Sequence, residues 1–101
     1  MKKGVIELCV LSIIKQAEAY PSDIINELHA AKIIVVEGTL YPLLTRLKNN
    51  GLLAYRWVES ESGPPRKYYR LTPEGEKYFE GLLEAWNELT QVVSKATKNK
   101  Q

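Results

Sequence analysis

The chain changes its hydrophobic period at Asn49-Asn50-Gly51, and no other feature limits its possible folds so tightly. Before that point apolar residues recur at helical spacing, as in Leu40, Leu43, Leu44 and Leu47. After it, Leu53, Tyr55 and Trp57 alternate with Ala54, Arg56 and Val58, the two-residue period of a strand. Asn and Gly accept the left-handed backbone that ends helices, so the triplet reads as a helix stop. A chain of 101 residues has room for one domain of ordinary size, so the helical part and the strand part must share a core.

The flanking segments extend the pattern. From Val5 to Ile14 nearly every residue is apolar, with Glu7 and Ser12 as exceptions, which predicts a helix buried on most faces. Tyr20-Pro21-Ser22-Asp23 marks a boundary, because the residue before a proline does not continue a helix comfortably. Ile24, Ile25, Leu28 and Ala31 then recur at helical spacing, with Pro21 in the first turn of a second helix. Ile33 to Val36 is expected to be a connector or a small strand. Glu37-Gly38-Thr39 opens a third helix, with Pro42 expected inside its first turn, where a missing donor costs little.

Beyond the switch, strands are expected at Leu52–Glu59 and Arg66–Leu71. The Ser60-Glu61-Ser62-Gly63-Pro64-Pro65 stretch between them is expected to be a mobile loop, too long for a tight two-residue turn. Thr72-Pro73-Glu74 begins the last helix with a capping hydroxyl, a proline at the first helical position and an acid facing the positive end of the dipole. Phe79, Leu82, Leu83, Trp86, Leu89, Val92, Val93 and Ala96 continue it as a long apolar stripe, and the Lys98-Asn99-Lys100-Gln101 tail is expected to fray. The expected fold class is mostly α with a small β-hairpin (α+β). Three helices followed by a hairpin is the order of a winged helix-turn-helix, here with a long C-terminal helix added.

Several function classes are disfavoured. One cysteine cannot form an internal disulfide, and Cys9 in an apolar run reads as a small buried hydrophobe in a reducing compartment. His29 is the only histidine and reads as a surface side chain, so neither a metal site nor a Ser/His/Asp triad is expected. There is no glycine loop to cradle a phosphate, and no enzyme activity or cofactor is expected. Met1-Lys2-Lys3 before apolar residues mimics a signal peptide, but Glu7 interrupts the run and no small-residue cleavage site follows. A soluble, cytoplasmic protein with no membrane contact is expected.

Charge is distributed more tellingly than its total of +2. Residues 39–73 carry six Lys/Arg (Arg46, Lys48, Arg56, Arg66, Lys67, Arg70) against two acids (Glu59, Glu61), whereas acids slightly outnumber bases on either side. Basic charge gathered on the third helix and hairpin is the footprint of a phosphate-binding surface; the plainer reading is a solvated face. In a winged helix-turn-helix the third helix enters the major groove and the hairpin flanks it.

Glu37-Gly38-Thr39-Leu40-Tyr41-Pro42, then Arg46-Leu47, Gly51-Leu52 and Gly63-Pro64-Pro65-Arg66-Lys67-Tyr68-Tyr69-Arg70-Leu71-Thr72, closely resemble the PadR family of bacterial transcriptional regulators. The similarity runs from about Gly4 to the end of the last helix. It departs from many members at Pro21-Ser22, where they have a Gly-Tyr pair. The resemblance implies a homodimeric repressor, often released from its operator by a small molecule.

Thr39 and Tyr41 sit at the end of the third helix that approaches DNA first, and Tyr41 offers a hydroxyl to phosphate and a ring to a thymine methyl. Packing against the second helix is the other reading for Tyr41. Arg46 and Lys48 are expected to reach phosphates from the same helix. On the hairpin, Arg66 and Lys67 should grip the backbone while Gly63 allows close approach. One of Tyr68 and Tyr69 is expected beneath the hairpin. Trp57 is expected to pack within it, with a base-stacking or backbone role as the alternative.

One such module reads a single half-site. The apolar stripe of the last helix, with Phe79, Leu82, Trp86, Leu89 and Val93, is longer than the body before it can cover, and is expected to pair with a second copy. The alternative is a stripe folded back on its own domain. Pairing would set two recognition helices about 34 Å apart on a pseudo-palindromic duplex. The expected division is residues 1–72 for DNA binding and residues 73–101 for dimerisation, in one compact unit.

Trp86 reads first as a core or interface anchor. Multidrug-binding members of the family look similar there, with a tryptophan that the two-fold axis pairs across a cavity for planar aromatic ligands. On that resemblance, Trp86, Leu82, Leu83, Thr90, Leu8 and Ser12 would line an effector pocket. The competing functional classes are a winged-helix protein–protein adaptor and a small drug-binding protein without DNA binding.

Overall fold

A computed structural model describes residues 2–98 of the chain. Its first element, α1 (Lys2–Gln16), carries the apolar run through the centre of the molecule, with Val10, Leu11 and Ile14 buried. Among the described residues no helix is long and apolar enough to cross a membrane. Asn99-Lys100-Gln101, the part of the tail expected to fray, lies outside the described residues.

α2 (Pro21–Ala30) starts where Pro21 predicts, and the Tyr20 N–H donates to Asp23 Oδ2 at 3.1 Å, which satisfies a group the helix leaves free. The helix ends on Lys32, whose φ of 66° is left-handed. There the Lys32 N–H donates to the His29 carbonyl and the Ile33 N–H to the Leu28 carbonyl, both at 2.8 Å. Ile33 to Val36 forms no strand; it is a connector that buries Val35 and exposes Ile34 and Val36.

α3 (Glu37–Asn49) buries Leu40, Leu44 and Leu47. Pro42 lies inside the helix rather than in its first turn, because the helix already starts at Glu37. It removes the bond that would run to the Gly38 carbonyl. The stop at Asn50-Gly51 forms as expected. Gly51 has φ 77°, its N–H donates to the Lys48 carbonyl at 3.0 Å, and the Leu52 N–H donates to the Leu47 carbonyl at 3.0 Å.

The hairpin pairs β1 (Leu53–Ser60) antiparallel with β2 (Gly63–Leu71), in the register Leu53↔Leu71, Tyr55↔Tyr69, Trp57↔Lys67 and Ser60↔Gly63. This corrects the expected long loop: only Glu61 and Ser62 separate the strands. Pro64 and Pro65 belong to β2, at the irregularity in register between Val58 and Ser60. A proline has no N–H for the ladder, and an irregular edge is where a strand tolerates one. On its other side β2 meets Ala19, which exchanges two backbone hydrogen bonds with Tyr69 at 2.9 and 3.1 Å. The α1–α2 connection is thereby tied to the hairpin.

α4 (Pro73–Lys98) is capped by Thr72, whose Oγ1 accepts from the Gly75 N–H at 3.0 Å and donates to the Gly51 carbonyl at 2.6 Å. A Cβ at position 75 would overlap the Leu52 carbonyl, so glycine is required where α4 crosses the end of α3. Only Gly75 and Phe79 of α4 are buried, and from Glu84 onward every described residue is exposed. A helix of 26 residues is about 39 Å long. Its outer half projects from the body and accounts for the longest dimension of 58 Å against 27 and 21 Å.

Candidate nucleic-acid interface

The start of α2, the middle of α3 and one face of the hairpin converge on a single side of the molecule. They enclose an open groove of about 450 Å³, with Tyr20, Tyr41, Thr45, Trp57, Arg66 and Lys67 in its walls. Tyr41 and Thr45 are one helical turn apart and therefore share a face. Lys48 follows one turn later, and its Nζ lies 5.7 Å from the centre of the Tyr55 ring. Lys67 Nζ approaches the same ring from the hairpin at 4.6 Å. Among the described residues, neither ammonium lies within ion-pair distance of a carboxylate. The ring attracts each cation but cannot neutralise it.

The other face of the hairpin meets the start of α2. Tyr68 stacks on Tyr20 with ring centres 4.5 Å apart. Arg66 lies over Tyr20 at 5.3 Å and Arg56 over Tyr68 at 5.1 Å. Arg56 Nε donates to Glu18 Oε2 at 3.1 Å, and that bond holds the guanidinium even more firmly protonated than usual. Arg56 is thus neutralised within the chain, whereas Arg66 has no carboxylate at ion-pair distance among the described residues. Tyr69, paired with Ala19, is the buried member of the Tyr68–Tyr69 pair.

Of the expected DNA-facing residues, Tyr41, Arg66 and Lys67 line the groove, and Lys48 stands beside it on Tyr55. Tyr41 is half exposed. Arg46 and Thr39 are turned elsewhere. Arg46 Nη2 donates to Glu7 Oε2 at 3.3 Å, and Glu7 Oε1 accepts from the Tyr78 hydroxyl at 2.7 Å, so a nearly buried carboxylate of α1 joins α3 to α4. Thr39, with Ile6, Pro42, Leu43 and Arg46, borders a separate depression of about 200 Å³ between α1 and α3. Gly63 pairs with Ser60 beside the turn, and a Cβ there would meet only Ser60 Oγ at 3.8 Å, so the fold itself does not demand glycine. Trp57, expected within the hairpin, is instead 61% exposed. Thr45 was readable from its i+4 spacing to Tyr41; Tyr20 is brought in by the tertiary fold and had no local signal.

Along α4 the residues expected to pair also divide. Phe79 is buried in the chain's own core against α1 and therefore is not part of any exposed pairing face. Trp86, Leu89, Val92 and Val93 are exposed. Trp86, Leu82, Leu89 and Leu8 border an apolar depression of about 230 Å³ with Gly4, Val5 and Ala85. Leu83, Ser12 and Thr90 do not border it: Leu83 packs on the core, and the Thr90 hydroxyl donates to the Trp86 carbonyl at 2.8 Å.

The transcriptional regulator PadR-like family matches residues 10–81, most of the chain. The chain belongs to this PadR-like family. It is similar to a PadR-like transcription factor of Bacteroides fragilis at 54% identity, with 95% of this chain and 93% of that one covered and a TM-score of 0.85. It also resembles a PadR-like transcriptional regulator of Bacillus cereus at 35% identity, covering 94% and 93% of the two chains, with a TM-score of 0.82. A PadR family transcriptional regulator of Eggerthella lenta is 36% identical over 94% of this chain and 83% of that one, with a TM-score of 0.85. The matched region of this PadR-like regulator includes α2, α3 and the whole hairpin, and so contains all of the groove described above.

Proposed function

We propose that this PadR-like regulator is a cytoplasmic, homodimeric repressor that binds double-stranded DNA through the groove between α3 and the hairpin. The observation that carries the DNA-binding reading is the convergence of Lys48 and Lys67 on the Tyr55 ring from two different elements, with no carboxylate at ion-pair distance among the described residues. A duplex phosphate supplies the missing anion, and Tyr41, Thr45 and Arg66 stand where neighbouring phosphates and base edges would follow. Binding of this kind releases counterions and weakens steeply with salt. The test is fluorescence anisotropy with the duplex upstream of its own gene across a salt series. The Lys48→Ala/Lys67→Ala double variant is expected to bind more weakly and to reduce the log–log salt slope by about 2. A parent protein that binds without salt dependence, or a double variant with the parent's slope, overturns the assignment.

Residues 73–101 would supply pairing and residues 1–72 the DNA contacts. The pairing face comprises Leu82, Trp86, Leu89 and Val93, an i, i+4, i+7, i+11 stripe of which the last three are exposed. A small planar aromatic effector would bind at Trp86 beside Leu8 and Leu82, where the depression is almost wholly apolar in its lining, and its binding would relieve repression. Titration with a planar aromatic dye, followed by tryptophan emission, is expected to saturate in the parent and not in Trp86→Ala. Equal saturable dye binding by both proteins, followed by dye emission, removes Trp86 from the effector site.

A further inference from the structure

Trp57 sits in the middle of β1, on the hairpin face that carries Tyr55, Lys67 and Tyr69, and it is 61% exposed. The body of the protein makes little use of it. Its ring meets Tyr55 edge-on, with centres 5.9 Å apart and planes at 87°, and Lys67 Nζ lies 5.5 Å from its centre. It belongs neither to the buried core nor to the apolar residues packed against that core. An indole in this state leaves roughly 100 Å² of apolar surface in water.

The charges around it restrict what could cover that surface. Lys67 is its cross-strand partner, Arg66 and Lys67 share the groove wall with it, and Lys48 reaches the neighbouring Tyr55. An apolar protein partner laid over the indole would strip water from Lys48 and Lys67 without pairing them, which is costly. A nucleotide has both features required, an apolar sugar or base face and a phosphate attached to it. We infer that Trp57 is a DNA contact that packs its indole on the apolar face of a nucleotide whose phosphate lies against Lys48 and Lys67. This rests on the DNA-binding reading above and adds to it a part of the affinity that is not electrostatic. Tyr55 acts as the positioning residue: its ring meets the indole at nearly a right angle, and both ammoniums lie within cation–π distance of the same ring.

Such a contact releases no counterions, so it differs from a lysine in its response to salt. Anisotropy titrations of the full chain with the duplex upstream of its own gene, across a salt series, separate the two. Trp57→Ala is expected to bind roughly 10- to 100-fold more weakly at every salt concentration, with the parent's slope. Trp57→Phe keeps most of the affinity, and Lys67→Ala lowers the slope by about 1. In a Trp86→Phe variant, used at protein concentrations where its own anisotropy titration shows the duplex bound, Trp57 is the only remaining tryptophan, because the chain has two. Its emission is then expected to be quenched by the duplex and shielded from acrylamide. Trp57→Ala binding that equals the parent's, a deficit that appears only as a reduced slope, or an indole still open to acrylamide in the complex overturns the Trp57 contact while leaving DNA binding intact. A parent protein that binds no duplex at low salt overturns both.

Discussion

Individual side chains in this protein are often committed to partners far away in sequence. Glu7 is the clearest case: within α1 it looks like an interruption of an apolar run, yet it accepts hydrogen bonds from Arg46 of α3 and Tyr78 of α4. Arg46 seemed free to reach phosphate because helical spacing shows which face a residue occupies but not what packs against that face. Two phenols carry the pH dependence that follows from such long-range packing and bonding. Tyr69 is pushed up from the usual 10.0 by burial first and by nearby Tyr55 and Tyr41 after it. Tyr78 is pushed up chiefly by its hydrogen bond to Glu7. A group held protonated in the folded state contributes its stability in full below the unfolded pKa and loses it as pH rises through the folded value. The urea midpoint is therefore expected to fall as pH climbs above about 10, and to fall less in Tyr69→Phe and in Tyr78→Phe. Circular dichroism in urea at several alkaline pH values measures this; an identical decline in the parent and in both variants would assign it to other groups.

At the scale of elements, the boundaries set by local chemistry were the ones legible beforehand. Gly51 ends α3 with the left-handed backbone its type permits, and Thr72 caps α4 through its own hydroxyl, both within a few residues of sequence. Two boundaries were not legible. Lys32 ends α2 in a conformation that favours glycine, so its residue type gave no warning. Pro64 and Pro65 looked like loop but extend β2, because an irregular strand edge accepts residues without an N–H. Where α4 crosses Leu52 the contact depends on the missing Cβ of Gly75. Gly75→Ala is expected to destabilise the fold by about 2 kcal/mol or more through overpacking against backbone, despite alanine's better helix propensity. Gly81→Ala, in the same helix with open space around it, is the control and is expected to be neutral or slightly stabilising. Chemical denaturation of the two variants measures the difference, and equal midpoints would show that the crossing relaxes freely.

For the molecule as a whole, the defining feature is a compact body with a helix that leaves it. Phe79 anchors α4 against α1, and Lys15 reaches Glu76 Oε1 at 3.5 Å from α1, but from Glu84 onward every described residue is exposed. Trp86, Leu89, Val92 and Val93 leave an apolar stripe in water that a second copy can bury. The parent is expected to sediment as a dimer, and Leu89→Glu/Val93→Glu as a monomer with the body still folded. The monomer is expected to bind one half-site at least tenfold more weakly than the dimer binds the full duplex. A monomeric parent at micromolar concentration would remove α4 as the pairing element.

Composition, period and punctuation by themselves determined the order of helices and hairpin, the caps at Gly51 and Thr72, and the concentration of basic residues between 39 and 73. These are properties of residues close together in the chain, where backbone preference and side-chain spacing act alone. Tertiary structure decided which basic residues remain available: it pairs Arg46 with Glu7 and Arg56 with Glu18, and brings Lys48 and Lys67 to one ring. It also buried Phe79 and left Trp57 in water. Each of these outcomes depends on contacts across long stretches of chain, where solvent exclusion and charge pairing are set by packing that no local pattern encodes.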